Sequence, residues 1–184
     1  DGIPRKPQAD MLLAACQRMG CAPELSLMLG DSDNDVQTVV TATAGGASNI
    51  TLTTNSFGDI AIGNVTAAGD TITANAAGAI LESGADAGAD LTAATLDLNA
   101  TTGIGAAGTI EIAAALVAAD TINGAIDLAN AATAPVTATS LTTGTGAITF
   151  AQTGSQALIV ALAQTTSGAI TITNDAGVSI ANAA

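Results

Sequence analysis

A chain of 184 residues is long enough for one or two domains and a real core, and 48% of it is hydrophobic, yet aromatics supply only 1%. With no Trp, no Tyr and only Phe57 and Phe150, the interior is expected to be layers of Ala, Ile, Leu and Val rather than an irregular globule whose gaps aromatics fill. The net charge is −13, and the basic residues are Arg5, Lys6 and Arg18 alone; a chain without Lys, Arg or His after Arg18 cannot neutralise phosphates, which excludes nucleic-acid partners and disfavours anionic membrane surfaces.

In chain order, residues 1–37 read as a short α/β segment. Ala9–Met19 places Met11, Leu12, Ala15, Cys16 and Met19 at helical spacing, with Asp10 able to cap its start and Gly20 its end. Leu25–Leu29 is a short apolar run between Glu24 and Gly30, expected to be a buried strand, and Gly30–Asp35 follows as a polar loop. Cys16 and Cys21 are the only cysteines; they read as two small buried thiols, since a zinc site needs more ligands and there is no His. No uninterrupted apolar stretch reaches membrane-spanning length, so no membrane insertion is expected. The sequence begins at Asp1 without Met, consistent with a processed or trimmed piece.

After Gln37 the composition changes abruptly to Thr, Ala, Gly and Asn, which divides the chain into residues 1–37 and a repeat domain of residues 38–184. Short alternating runs recur, among them Ile50–Thr53, Asp59–Ile62, Thr71–Thr73, Thr95–Leu98 and Thr109–Ile112. Apolar and small polar residues alternate with the period of two that a half-buried strand requires, and Gly, Asn and Asp punctuate the turns. From Gly124 the repeat is strict. Gly124-Ala125-Ile126 recurs as Gly146-Ala147-Ile148 and Gly168-Ala169-Ile170, both steps being 22 residues. Val136, Leu158 and Ile180 keep the same step, as do Ala138 with Val160 and Ser140 with Leu162. Earlier the repeat is looser: Gly58 to Gly78 is 20 residues, and Ser83–Asp90 reads as an inserted loop.

One such unit cannot bury its apolar face alone, whereas units stacked about 4.8 Å apart form Ile and Leu ladders inside and Thr and Asn ladders outside. The expected fold is therefore mainly β, repetitive stacked strands forming a parallel β-helix of roughly six or seven coils, with a β-sandwich or β-roll as the alternative. Phe150 replaces an Ile of the ladder and is expected in the core.

Arg5-Lys6-Pro7, the helix ADMLLAACQRMG and the run LSLMLGDSDNDV together resemble the C-terminal part of a haloacid-dehalogenase-type phosphatase, closest to the phosphoglycolate phosphatase group. The resemblance implies that Lys6 stabilises a phosphorylated aspartate, that Asp31 is a magnesium ligand, and that Asp35 supports the metal site or the lysine. It is incomplete. The family's early D-x-D nucleophile motif does not precede Lys6, and its phosphate-binding Ser or Thr motif is missing. The residues from about 40 to the end, typified by GAITFAQTGSQALIVALAQTTSGAITITNDAGVSIANA, resemble the β-helical repeats of filamentous-haemagglutinin-type bacterial surface proteins. That likeness implies an extracellular or cell-surface adhesin, stalk or fibre.

The function expected on balance is a noncatalytic structural or adhesin-type protein without cofactor, partnered by a cell-surface receptor or by itself. The alternative is a cytoplasmic, magnesium-dependent phosphomonoester hydrolase using Lys6, Asp31 and Asp35. β-Helical lyases and hydrolases need a basic or Tyr catalytic group or clustered carboxylates, and after Met19 only carboxylates remain. Asp59, Asp70, Glu82, Asp86, Asp90, Asp97, Glu111, Asp120, Asp127 and Asp175 read as exposed charges that discourage edge association. Asp59 and Asp70 follow glycines and are candidates to stack in adjacent coils. Asp86 and Asp90 are candidates for calcium, though GADAGAD matches neither the nonapeptide repeat nor an EF-hand loop.

Overall fold

The protein is described by a computed structural model over residues 38–41, 48–84 and 87–180, with backbone alone for 38–41 and Ile180. The helix and strand expected within residues 1–37 lie outside these residues. The described part holds strands β1 (Thr38–Thr41), β2 (Ile50–Thr53), β3 (Ile60–Ala76), β4 (Ala79–Glu82), β5 (Leu91–Ala100), β6 (Gly103–Ile104), β7 (Ile110–Ala113) and β8 (Leu116–Thr121). They continue as β9 (Ile126–Ala131), β10 (Val136–Thr143), β11 (Ile148–Thr153), β12 (Leu158–Val160), β13 (Ala163–Thr165), β14 (Ile170–Asn174) and β15 (Val178–Ile180). Every pairing among them is parallel. A sandwich of hairpins would be antiparallel, so the fold is a parallel β-solenoid of about 6 turns. No helix among the described residues is long and apolar enough to cross a membrane.

Alternation sets which residues enter the core. β9 runs Ile126, Leu128 and Asn130 inward, with Asp127 and Ala129 between them less buried. Stacking aligns the inward set from coil to coil. Ile60, Ile80, Ile104, Ile126, Ile148 and Ile170 stand in one register, pair by pair. The first five are buried, whereas Ile170, in the last described coil, is 41% exposed. A second ladder runs Leu128, Phe150, Ile172, and Phe150 is fully buried as an aromatic rung among aliphatic ones. In another run of strands, Leu52, Ala74, Leu98 and Ala119 stack inside the core, with Leu141 and Ala163 continuing the column.

The strict step from Gly124 is realised as drawn: Ile126 pairs Ile148, which pairs Ile170, and Val136 pairs Leu158. One alignment shifts. Leu158 pairs Val178 rather than Ile180, and Ile180 stands opposite Val160, because the final turn is two residues shorter. The 20-residue step is also present, with Gly78 N–H donating to the Gly58 carbonyl at 2.8 Å. Register breaks between Ala67 and Thr71 and between Ala138 and Ser140 absorb the irregular spacing.

The corners are built from two devices. Thr121, Thr143 and Thr165 each stand three residues before Gly124, Gly146 and Gly168. The hydroxyls of Thr121 and Thr143 both donate to the Gly124 carbonyl, at 3.0 and 2.8 Å, and Thr165 donates to that of Gly146 at 2.9 Å. The Thr143 and Thr165 hydroxyls also accept from Gly146 and Gly168 N–H. Inside, Asn130, Gln152 and Asn174 stack in register as a polar ladder. Asn130, 1% exposed, accepts from Ala114 N–H and donates to its carbonyl, both at 3.0 Å, so its amide substitutes for a missing strand neighbour.

Candidate functional site

Two arrangements of polar groups stand out on this scaffold. The first is an open groove along one face, lined in part by Thr54, Asn75, Asn99, Thr101, Asp120 and Ile122. Asn75, Asn99 and Asp120 are successive rungs of one register. Asn99 Nδ2 donates to Asn75 Oδ1 at 3.1 Å and to Asp97 Oδ1 at 2.9 Å. Asp120 Oδ1 accepts from Ser140 Oγ at 2.7 Å and also from Thr142 Oγ1. These groups are engaged with one another, and the groove has no aromatic or basic side chain.

The second is a carboxylate cluster. Glu82 closes β4, and Asp90 stands immediately before β5. Glu111 lies in β7 on the next coil, brought alongside because Leu91 pairs Ile112. One carboxylate oxygen from each of the three lies within 4.8 Å of those of the others. The cluster is tied to the sheet: Asp90 N–H donates to the Glu111 carbonyl at 2.7 Å, and Glu111 N–H donates to Asp90 Oδ2 at 3.1 Å. Asp90 is 3% exposed. Oε2 of Glu111 is buried and meets no hydrogen-bond partner. Space for the Glu82 carboxylate comes from Gly108, where a Cβ would stand 2.5 Å from Glu82 Oε2.

This corrects the reading of the acidic residues as exposed charges for Asp90, which is buried, while Glu111 is half-buried. Asp59 and Asp70 are corrected too. Asp59 directly precedes β3 and Asp70 lies within it, so they occupy one continuous run rather than adjacent coils. Asp59 Oδ1 accepts from Ala79 N–H at 2.7 Å, a structural role in the ladder. Asp175 acts similarly, accepting from Gly154 and Ser155 N–H at 3.1 and 3.0 Å. Phe57 sits exposed in a turn, while Phe150 is core. Of the two calcium candidates, Asp90 enters the cluster and Asp86 lies outside the described residues, as do Lys6, Asp31, Asp35, Cys16 and Cys21.

In comparison with known proteins, a family model described as HAD-hydrolase-like matches residues 3–79, less than half of the chain. The described end of that span, residues 48–79, is solenoid: β2 and most of β3 pair in parallel as coils of the stack. No curated protein and no solved structure gives a significant match. The match supports the likeness of the N-terminal segment and runs on into the first coils of the repeat.

Proposed function

We propose that residues 38–184 serve as a noncatalytic structural scaffold of adhesin type, presented outside the cell or on its surface. The stack would hold its turns at fixed spacing for a cell-surface receptor or for a second copy of the chain. The observation that carries this reading is the uninterrupted ladder of Ile60, Ile80, Ile104, Ile126, Ile148 and Ile170. A stack whose coils all share one register is stiff along its axis and gains little from any single loop, which suits a spacer better than a catalyst. The residues after Arg18 offer no basic group to a substrate. Beads carrying the full chain should be retained on cell or matrix surfaces under flow beyond beads carrying an unrelated protein of equal negative charge. Equal retention on every surface would remove the adhesin role.

A second reading is favoured by the match to residues 3–79. Under it the N-terminal segment belongs to a cytoplasmic phosphomonoester hydrolase, with Lys6 offsetting phosphoryl charge and Asp31 and Asp35 serving a magnesium ion. Magnesium-dependent turnover of p-nitrophenyl phosphate by the full chain, abolished by Lys6→Ala, would put this reading first. Absence of turnover in wild type would discard it.

A further inference from the structure

We propose that Asn123 is a site of self-modification, at which the backbone nitrogen of Gly124 displaces the side-chain amide and leaves an aspartate or isoaspartate in the turn between β8 and β9. This goes beyond the scaffold role and does not depend on it.

Asn123-Gly124 is the only Asn-Gly pair in the sequence. The stack itself requires its glycine. Gly124 has φ 145°, and a Cβ added to it would stand 2.0 Å from the carbonyl oxygen of Thr102 on the preceding coil. The missing Cβ that lets the coils approach also removes the group that would shield the Gly124 nitrogen from the neighbouring side chain. The equivalent turns, at steps of 22 residues, carry Thr145-Gly146 and Ser167-Gly168, and neither Thr145 nor Ser167 has an amide to lose.

Hydrogen bonding sets this turn apart as well. In the two later turns the glycine N–H is occupied: Gly146 donates to Thr143 Oγ1 at 3.2 Å and Gly168 to Thr165 Oγ1 at 3.0 Å. Thr121 is the counterpart of those threonines. Its hydroxyl donates to the Gly124 carbonyl at 3.0 Å, and Gly124 N–H meets no acceptor among the described residues. The nucleophile can therefore give up its proton without first breaking a bond. Asn123 is exposed, so water and hydroxide reach it. Its Oδ1 accepts from Thr145 Oγ1 at 3.3 Å, which draws electron density from Cγ. Its Nδ2, the leaving group, meets no acceptor among the described residues. Asn130 is the contrast, with its amide held by both backbone groups of Ala114.

The chemistry needs only water. The Gly124 nitrogen loses its proton to hydroxide and bonds to Asn123 Cγ, the bond from Cγ to Nδ2 breaks, and Nδ2 leaves as ammonia. Attack within one chain is fast because the reacting groups are already held together. Water then opens the cyclic imide at either carbonyl. One opening gives aspartate, and the other gives isoaspartate, whose main chain is longer by a methylene. Both add a carboxylate to a chain with no Lys or Arg after Arg18 to offset it. The longer main chain also disturbs a turn in which Asn123 N–H donates to the Thr101 carbonyl of the preceding coil at 3.0 Å.

The test keeps the full chain folded at mildly alkaline pH, samples it over weeks, and maps the peptides by mass spectrometry, with isoaspartate scored by an isoaspartyl methyltransferase. A parallel sample is held unfolded in urea. Folded wild type should lose the Asn123 amide, with isoaspartate among the products as the mark of the imide. Ser167→Asn installs a second Asn-Gly pair at a turn whose glycine N–H is occupied, and circular dichroism confirms that this variant is folded. In the folded variant Asn123 should be modified several-fold faster than the installed asparagine, whereas in urea the two should react alike. Asn123→Gln should abolish modification at this turn. Retention of the Asn123 amide in the folded chain, while the unfolded chain loses it, would overturn the proposal. Equal rates at the two turns of the folded variant would overturn it too.

Discussion

Gly146 stands against the preceding coil so closely that a Cβ added there would run into the carbonyl of Gly124, and Gly168 stands in the same way against Gly146. The contact is with backbone, which cannot swing aside as a flexible side chain would. Gly146→Ala should therefore destabilise by about 2–4 kcal/mol, on the scale of overpacking in a rigid interior. Gly69→Ala meets open space but is held at φ 84°, and should cost only about 1 kcal/mol for the left-handed backbone. Chemical denaturation of the two variants checks the order; a larger loss for Gly69→Ala would contradict the close approach of coils. The recurring Gly was plain in the sequence because it keeps the 22-residue step. The interior ladder of Asn130, Gln152 and Asn174 keeps that step as well, and polar residues two positions after Leu128, Phe150 and Ile172 were its visible signal. It escaped sequence reasoning because amides are usually assigned to turns, whereas here one replaces a strand neighbour.

At the scale of the element, a strand of the stack is stabilised by neighbours above and below, so position along the axis matters as much as residue type. Ile126 is fully buried between Ile104 and Ile148, and Ile126→Ala should cost about 3–5 kcal/mol through lost transfer energy and the cavity left. Ile170 occupies the same rung with only Ile148 beside it among the described residues and is 41% exposed; its replacement by Ala should cost about 1–2 kcal/mol. Equal losses at the two positions would contradict the stacking order. The ladder from Ile126 onward was legible, since period two and step 22 coincide there. Its first half was not, because register breaks and the Ser83–Asp90 insertion change the step from coil to coil. The same irregularity hid the carboxylate cluster. Asp90 and Glu111 stand one position before the paired Leu91 and Ile112 on adjacent coils, but Glu82 is at the far end of the Ser83–Asp90 insertion, so no fixed step joins all three.

Over the whole chain, the charge distribution and the repeat point the same way. Like charges stacked from coil to coil repel, and the described part ties several of its acidic groups to backbone N–H groups, as Asp59 and Asp175 show. The division from the N-terminal segment was read from composition alone, and the family match to residues 3–79 crosses it into the first coils. Parallel in-register stacking is the claim on which the fold and the scaffold role both rest. It is tested most directly by disulfide trapping in a chain whose Cys16 and Cys21 are replaced by Ser. Thr149 and Thr171 are paired rungs on adjacent coils, separated by about the strand spacing, which a disulfide can bridge. Thr149→Cys with Thr171→Cys should close within one chain on mild oxidation, as mapped by non-reducing mass spectrometry, while Thr149→Cys with Thr173→Cys should not. Failure of the first pair to close, or equal closure of both, would contradict the parallel stack.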